Sequence, residues 1–146
     1  MIKIEYPPYQ PKIKTENKQE FIFDAIRKRW VLLTPEEWVR QNFLQYLIEV
    51  MHYPSSLISV EKEINLGELK KRYDIVVYDK NHLPWLVVEC KGMEVSLDRK
   101  VLDQALRYNI TLQVPFIVIT NGAYCYAFEN VDMELKEVEA LPEFIL

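Results

Sequence analysis

The chain has 146 residues, enough for one domain with a buried core but too few for two domains of ordinary size. Its content of 49% apolar and 12% aromatic residues is that of a globular protein, which excludes a disordered chain. The net charge of −4 argues against holding nucleic acid by overall charge alone. No apolar run reaches the length of a membrane span and no signal-peptide pattern opens the chain, so we expect a cytoplasmic protein that avoids membranes.

The first 33 residues are predicted to lie outside the core of the domain. Residues 1–17 are rich in proline, lysine and tyrosine, which is typical of an extended arm. Residues 20–33 contain two short apolar runs around a charged middle. This pattern favours an irregular hairpin, and a short helix from Asp24 is the alternative.

A helix is predicted over residues 34–51. Thr34 can cap it, Pro35 suits the first helical position, and Glu37 completes a capping box. Behind this start the apolar residues recur at helical spacing and predict one buried face; they are Val39, Phe43, Leu47 and Val50. Glu36 lies in line with that apolar stripe.

Three strands are predicted next. Residues 57–66 alternate between apolar and polar side chains, which indicates a half-buried strand. Residues 73–78 (YDIVVY) and 85–90 (WLVVEC) are denser in valine and isoleucine, as expected of central strands covered on both faces. Residues 79–82 make a hairpin loop, so these two strands should pair antiparallel.

A second helix is predicted over residues 96–112, followed by the strands PFIVIT and YCYAFE. The order of helix, three strands, helix and two strands predicts an α/β sandwich, with a mixed central sheet flanked by helices. We expect one domain over residues 1–146. Its core should cover about residues 34–130, with an acidic C-terminal tail over residues 131–146.

Three charged residues are predicted to meet at one end of the central hairpin. Glu89 and Lys91 are two residues apart and therefore share a face of the strand. Asp74 begins the preceding strand, and antiparallel pairing places that start beside the end of the next strand. Two neighbouring carboxylates repel unless a divalent cation lies between them, and a lysine alongside can polarise a phosphate. A structural ion-pair cluster is the alternative that the spacing leaves open.

The sequence resembles the PD-(D/E)XK nuclease superfamily and, within it, the N-terminal nuclease domain of type I restriction enzyme R subunits. The matching segments are TPEEWVRQNFLQYL, KKRYDIVVYD, WLVVECKG, LDQALRYN and FIVITNG. The resemblance implies a restriction-endonuclease-like αβββαβ core, a Mg²⁺ (or Mn²⁺) ion and hydrolysis of DNA. By position it makes Asp74 and Glu89 the metal-binding carboxylates and Lys91 the catalytic lysine. Tyr73 stands where the motif of the superfamily has proline.

The resemblance also extends to both predicted helices. Gln104 and Tyr108 are one helical turn apart and look like the QxxxY element of these nucleases, in which the glutamine lies near the metal and the lysine. A polar residue at the rim of a helix that packs through Tyr108 is the alternative. Glu36 matches the acidic residue of the first helix that reaches the metal, and a favourable charge at a helix N-terminus is the competing interpretation.

The predicted contacts to nucleic acid involve mostly basic residues. Lys70, Lys71 and Arg72 directly precede the strand that carries the first carboxylate and are the first choice for phosphate contacts, against a solvated loop. Arg40 could touch phosphate or pair with a glutamate of the first helical turn, and Tyr108 completes the set. The implied partners are DNA, other restriction-system subunits and a second copy of the chain.

The alternative function is a catalytically silent nucleic-acid-binding or interaction module on the same fold, which the acidic balance favours. The sequence holds no GxxxxGK[ST] phosphate loop, so we do not expect ATP-driven translocation by this chain.

Overall fold

The computed structural model describes residues 1–66, 68–109 and 113–145, without the side chains of Leu66, Leu69 and Tyr108. Within them, α1 (Pro35–Gln45) and α2 (Arg99–Asn109) pack on opposite faces of a large sheet. The strands are β1 (Ile2–Lys3), β2 (Ile13–Glu16), β3 (Gln19–Asp24), β4 (Arg29–Leu32), β5 (Ile58–Leu66), β6 (Leu69–Tyr78), β7 (Pro84–Cys90), β8 (Phe116–Thr120), β9 (Tyr124–Val131) and β10 (Glu134–Val138). No helix in this part of the chain combines the length and apolarity needed to cross a membrane.

The large sheet has seven strands in the order β1-β9-β8-β7-β6-β5, and β10 also pairs with β9. Strands β7 and β8 run parallel and the other pairs are antiparallel, so the sheet is mixed. Antiparallel pairing of β6 with β7 follows the hairpin prediction. The predicted α/β class, with a mixed sheet between helices and the element order αβββαβ, is therefore confirmed.

Helix α1 begins as predicted, because Thr34 Oγ1 accepts the backbone N–H of Glu37 at 3.0 Å. Its regular part is shorter than predicted, since Tyr46–Val50 continues as a π-helical turn. The backbone N–H of Met51 donates to the carbonyl of Tyr46, five residues back, at 3.1 Å. This wider turn moves Val50 out of the predicted stripe and into solvent.

Helix α2 begins at Arg99, three residues later than predicted. The Asp98 carboxylate accepts the backbone N–H of Val101 at 2.9 Å, as an N-cap side chain does. This capping interaction explains the later start. Residues 110–112, at the predicted end of the helix, lie outside the described residues.

The N-terminal hairpin forms as predicted between β3 and β4, and β2 extends it to a separate three-stranded sheet. The alternative of a helix from Asp24 is wrong. The Asp24 carboxylate instead accepts the backbone N–H groups of Ile26 at 2.8 Å and Arg27 at 2.9 Å, which closes the turn between β3 and β4.

The C-terminal segment is not the tail predicted for residues 131–146. Glu134–Val138 forms β10, which pairs with β9. Beyond it, Leu141 is buried in the core and Phe144 packs against Tyr53 and Trp85. These apolar side chains anchor the segment in spite of its many acidic residues.

The β5–β6 hairpin changes the face that it buries part-way along its length. Val60 and Ile75 pair with each other and pack beneath α1. Further along the hairpin, Ile64 and Tyr73 pack on the side of α2. Between these levels Glu61 has a φ of 52°, a conformation that costs a residue other than glycine about 1–3 kcal/mol. The alternation predicted for residues 57–66 is therefore broken at Glu61.

Candidate active site

Asp74 lies in β6, and its carboxylate is held by neighbours on two sides. Oδ2 accepts the backbone N–H of Cys90, at the end of β7, at 2.7 Å. Oδ1 accepts Nη2 of Arg40 in α1 at 2.8 Å. Antiparallel pairing explains the first contact: Ile75 pairs with Val88, so Asp74 comes next to the end of β7.

The structure brings the predicted acidic residues and the predicted lysine together. Glu36, Asp74, Glu89 and Lys91 line one cavity of about 280 Å³. The backbone N–H of Lys91 donates to the carbonyl of Thr120 at 2.8 Å, which ties the end of β7 to β8.

A second cavity adjoins the first. It has a volume of about 380 Å³, and Gln104 of α2 lines it together with Glu89 and Lys91. Four of the five residues predicted to bind metal or take part in catalysis therefore line one cavity, and the fifth, Gln104, lines the adjoining cavity.

The carboxylates at this site influence each other. Burial raises the pKa of Asp74 most, and the charge of Glu89 raises it further, against the Cys90 N–H and Arg40. Burial also raises the pKa of Glu36, followed by the charge of Asp74, while Arg40 and Lys91 oppose that rise. Burial is thus the main cause of both raised pKa values, and repulsion between neighbouring carboxylates adds to it.

Arg40 is not positioned as an exposed phosphate ligand. Its side chain is only 7% exposed and contacts Glu37 at 3.1 Å, Glu61 at 3.3 Å and Asp74 at 2.8 Å. The structure therefore shows the alternative role considered for Arg40, pairing with a glutamate of the first helical turn. Its burial argues against the phosphate contact.

The three basic residues at the start of β6 differ in their surroundings. Lys71 Nζ lies 2.5 Å from Oε1 of Glu89 and forms an ion pair with it. Arg72 lines the same cavity as Glu89, and Lys70 is exposed. Lys70 and Arg72 are exposed, as the prediction of phosphate contacts requires, whereas Lys71 is half-buried and paired with Glu89. The side chain of Tyr108 lies outside the described residues.

A largely buried set of ion pairs, which the sequence patterns did not reveal, lies behind Asp74. Arg27 contacts Asp24 at 2.6 Å, Glu37 at 2.9 Å and Glu61 at 3.2 Å. Arg40 shares the last two partners and reaches Asp74. We refer to these residues as the ion-pair network: Asp24, Arg27, Glu37, Arg40, Glu61 and Asp74.

Glu37 differs from its predicted role in a capping box. Its backbone N–H does bond to Thr34, but its carboxylate accepts from Arg27, Arg40 and Gln41. The guanidinium group of Arg27, in the β3–β4 turn, attracts the Glu37 carboxylate away from the helix N-terminus. An Asp-x-x-Arg spacing in that turn is the one sequence signal that could have indicated the network.

The cavity contains carboxylates of the kind that bind hard divalent cations, but their side chains are paired with basic residues. Carboxylate oxygens are the ligands that Mg²⁺ prefers in proteins, and Asp74, Glu89 and Glu36 supply carboxylates at this cavity. Arg40 and Lys71 are the present partners of Asp74 and Glu89. Across the described ranges, no group of three or more histidine, cysteine, aspartate or glutamate side chains is already arranged around one point as metal ligands.

The family comparison agrees with the motifs and the fold. The model of the family described as Type I restriction enzyme R protein N terminus (HSDR_N) matches residues 35–144. The match runs from α1 to beyond β10 and leaves β1 to β4 outside. No curated protein matches the chain. The chain belongs to the family of type I restriction enzyme R protein N-terminal domains.

Proposed function

We propose that this chain is a metal-dependent DNA endonuclease domain that hydrolyses phosphodiester bonds with Mg²⁺ or Mn²⁺. The observation that carries the proposal is the meeting of Asp74, Glu89 and Lys91 at one cavity. Membership of a restriction-enzyme family supports DNA as the substrate.

Asp74 and Glu89 would hold the cation, and Glu36 would supply a further carboxylate oxygen. Burial and the neighbouring carboxylates raise the pKa of Asp74 and of Glu36, so a bound cation would reduce the repulsion between these groups. When bound, the ion would stabilise charge on the phosphate oxygens and activate water.

The residues around the carboxylates have separate proposed roles. Lys91, which shares a cavity with both carboxylates, would place its ammonium group against the phosphate and stabilise the charge that develops there. Gln104 would position Lys91 or the attacking water from the adjoining cavity. Lys70 and Arg72 would contact the DNA backbone from the exposed part of β6.

The proposed partners follow from the family. They are DNA, other subunits of a restriction system and a second copy of the chain, since a dimer allows each site to cut one strand of a duplex.

A catalytically silent nucleic-acid-binding or interaction module is the second candidate function. The present ion pairs favour it, because Arg40 and Lys71 neutralise the carboxylates that a metal would need. A protein of this family that had lost catalytic activity would keep these ion pairs as structural contacts.

Nicking of supercoiled plasmid tests the two candidates. We expect the wild type to nick DNA with Mg²⁺ or Mn²⁺ and Lys91→Ala to lose that activity with an unchanged circular dichroism spectrum. Lys80→Ala is the matched control, because Lys80 is exposed in the loop at the other end of the β6–β7 hairpin. No nicking by the wild type with either ion would contradict the endonuclease and favour the silent module.

A further inference from the structure

The ion-pair network connects the β3–β4 turn with the proposed metal ligand Asp74. At one end, Arg27 lies in that turn and is held by Asp24, whose side chain is fully buried. At the other end, Arg40 donates to Asp74. Glu37 and Glu61 lie between the two arginines and contact both.

The shared carboxylates make the position of Arg40 depend on Arg27. Oε1 of Glu37 accepts from Nη2 of Arg27 at 2.9 Å and from Nη1 of Arg40 at 3.1 Å. Glu61 contacts the same two side chains through its two oxygens. Without Arg27, each carboxylate loses one of its two cationic contacts and can shift, and Arg40 then loses the fixed acceptors beside Asp74.

The local backbone brings Glu61 into the ion-pair network. Glu61 takes a left-handed conformation that places its carboxylate between the arginines. This conformation is strained for a residue other than glycine, so the contacts of Glu61 with the two arginines offset a local cost. Buried ion pairs are in general weak contributors to stability, because desolvation offsets much of their attraction.

We infer that the β3–β4 turn positions the active site: Arg27 holds Glu37 and Glu61 so that Arg40 keeps the Asp74 carboxylate oriented toward the cation. This inference rests on the proposed function. It assigns a role at the active site to a segment that lies before the residues matched by the family model.

The sign of the effect of Arg27 on metal binding separates positioning from simple electrostatics. Arg27 is a cation, so its charge alone opposes a second cation at Asp74, and its removal should tighten metal binding. If Arg27 acts by fixing Arg40 and Asp74, its removal should weaken metal binding.

The experiment measures the Mn²⁺-induced rise in melting temperature as a function of Mn²⁺ concentration for the wild type, Arg27→Gln and Arg29→Gln. Arg29→Gln is the matched control, because it removes the same charge from an exposed position of the same hairpin. We expect Arg27→Gln to need about 10-fold more Mn²⁺ than the wild type for the same rise in melting temperature, the lower end of the loss that follows when the support of a metal ligand is removed. Arg29→Gln should match the wild type.

Plasmid nicking gives a second measurement on the same proteins. At saturating Mn²⁺, Arg27→Gln should recover most of the nicking rate, because Glu89 and Lys91 are unchanged. If the only defect of the variant were a smaller folded fraction, its nicking rate would be lower at every Mn²⁺ concentration, and the Mn²⁺ concentration for half of the maximal rate would be unchanged.

The outcomes separate the inference from the proposed function. A wild type with no Mn²⁺ response overturns the proposed function and the inference with it. A responsive wild type together with an equal or tighter response in Arg27→Gln overturns the inference alone. If Arg27→Gln does not fold, Arg27→Lys decides, because its single ammonium group keeps the charge but cannot make the three contacts of Arg27. A wild-type Mn²⁺ response in folded Arg27→Lys would then reject the inference.

Discussion

Replacement of Arg40 by glutamine tests how strongly the ion-pair network stabilises the fold. Arg40 is buried between three carboxylates, at 2.8 Å from Asp74, 3.1 Å from Glu37 and 3.3 Å from Glu61. Arg40→Gln removes the central positive charge and leaves those carboxylates facing each other in a mostly buried setting. The side chain remains polar, so the main change is one of charge.

The expected loss can be estimated from the burial of the partners. Breaking a fully buried ion pair costs about 3–5 kcal/mol. Asp74 and Glu61 keep side-chain exposures of 17% and 39%, so solvent screens part of the repulsion. We therefore expect Arg40→Gln to lower the free energy of unfolding by about 3 kcal/mol at pH 7. For a domain of this size, that corresponds to a fall in melting temperature of about 6–12 °C.

The loss should depend on pH in a defined direction. Burial raises the pKa of Asp74 and Arg40 opposes the rise, so the variant should raise that pKa further. A carboxyl with a raised pKa in the folded state stabilises the fold below its unfolded-state pKa, and this contribution is lost as the pH rises through the folded-state pKa. Arg40→Gln should therefore recover stability relative to the wild type as the pH is lowered from 7.

Urea denaturation of both proteins, followed by circular dichroism over a pH series, gives the comparison. Arg72→Gln is the control, because Arg72 is exposed and its loss should change the unfolding free energy little. A deficit for Arg40→Gln no larger than that of the control, or one that grows on acidification, would refute the reasoning.

Three further predictions concern the cap of α1, a turn and the adjoining cavity. Thr34→Ala removes the cap of α1 and should lower the free energy of unfolding by about 1 kcal/mol, measured by urea denaturation. Thr15→Ala, at an exposed position, is the control and should change it little; equal effects of the two variants would contradict the capping role. Gly122→Ala should lower the free energy of unfolding by about 1–3 kcal/mol in the same assay, because Gly122 has a φ of 94° and an added Cβ would lie 3.1 Å from Val39 Cγ2. An unchanged free energy of unfolding would argue against this turn geometry. Gln104→Ala should slow plasmid nicking without changing the melting temperature, because Gln104 is exposed beside the site; an unchanged nicking rate would remove it from the site.

The sequence was sufficient for the parts of the fold that local patterns determine. The Thr34 cap and the apolar spacing of α1 depend on short-range contacts, and so does the β6–β7 hairpin that places Asp74 beside the end of β7. The meeting of Asp74, Glu89 and Lys91 follows from that hairpin, because strand alternation and antiparallel pairing fix which residues become neighbours.

The remaining features depend on contacts between segments that are distant in the sequence. The local pattern predicts a capping box for Glu37, whereas the structure shows its carboxylate in contact with Arg27 of the β3–β4 turn. Alternation predicts Glu61 to be one of the polar residues on the solvent face of a regular strand, but its left-handed backbone directs its carboxylate to Arg27 and Arg40. No local sequence pattern indicates either of these contacts with the arginines.

The C-terminal segment shows the same limit in another form. Its acidic composition suggested a tail, because charge dominates a local reading of residues 131–146. Two apolar anchors, Leu141 and Phe144, pack against side chains far away in the chain and keep the segment on the domain. Burial of a few apolar side chains thus outweighed the average composition.

The most direct test of the central claim is an anomalous difference map from crystals of the wild type grown with Mn²⁺. We predict a peak within coordination distance of the carboxylates of Asp74 and Glu89, on the side of Lys91, and no such peak in Asp74→Asn. A clear map of the wild type with no peak at these carboxylates, while Arg40 and Lys71 keep their ion pairs, would contradict the proposal that Asp74 and Glu89 bind a divalent cation.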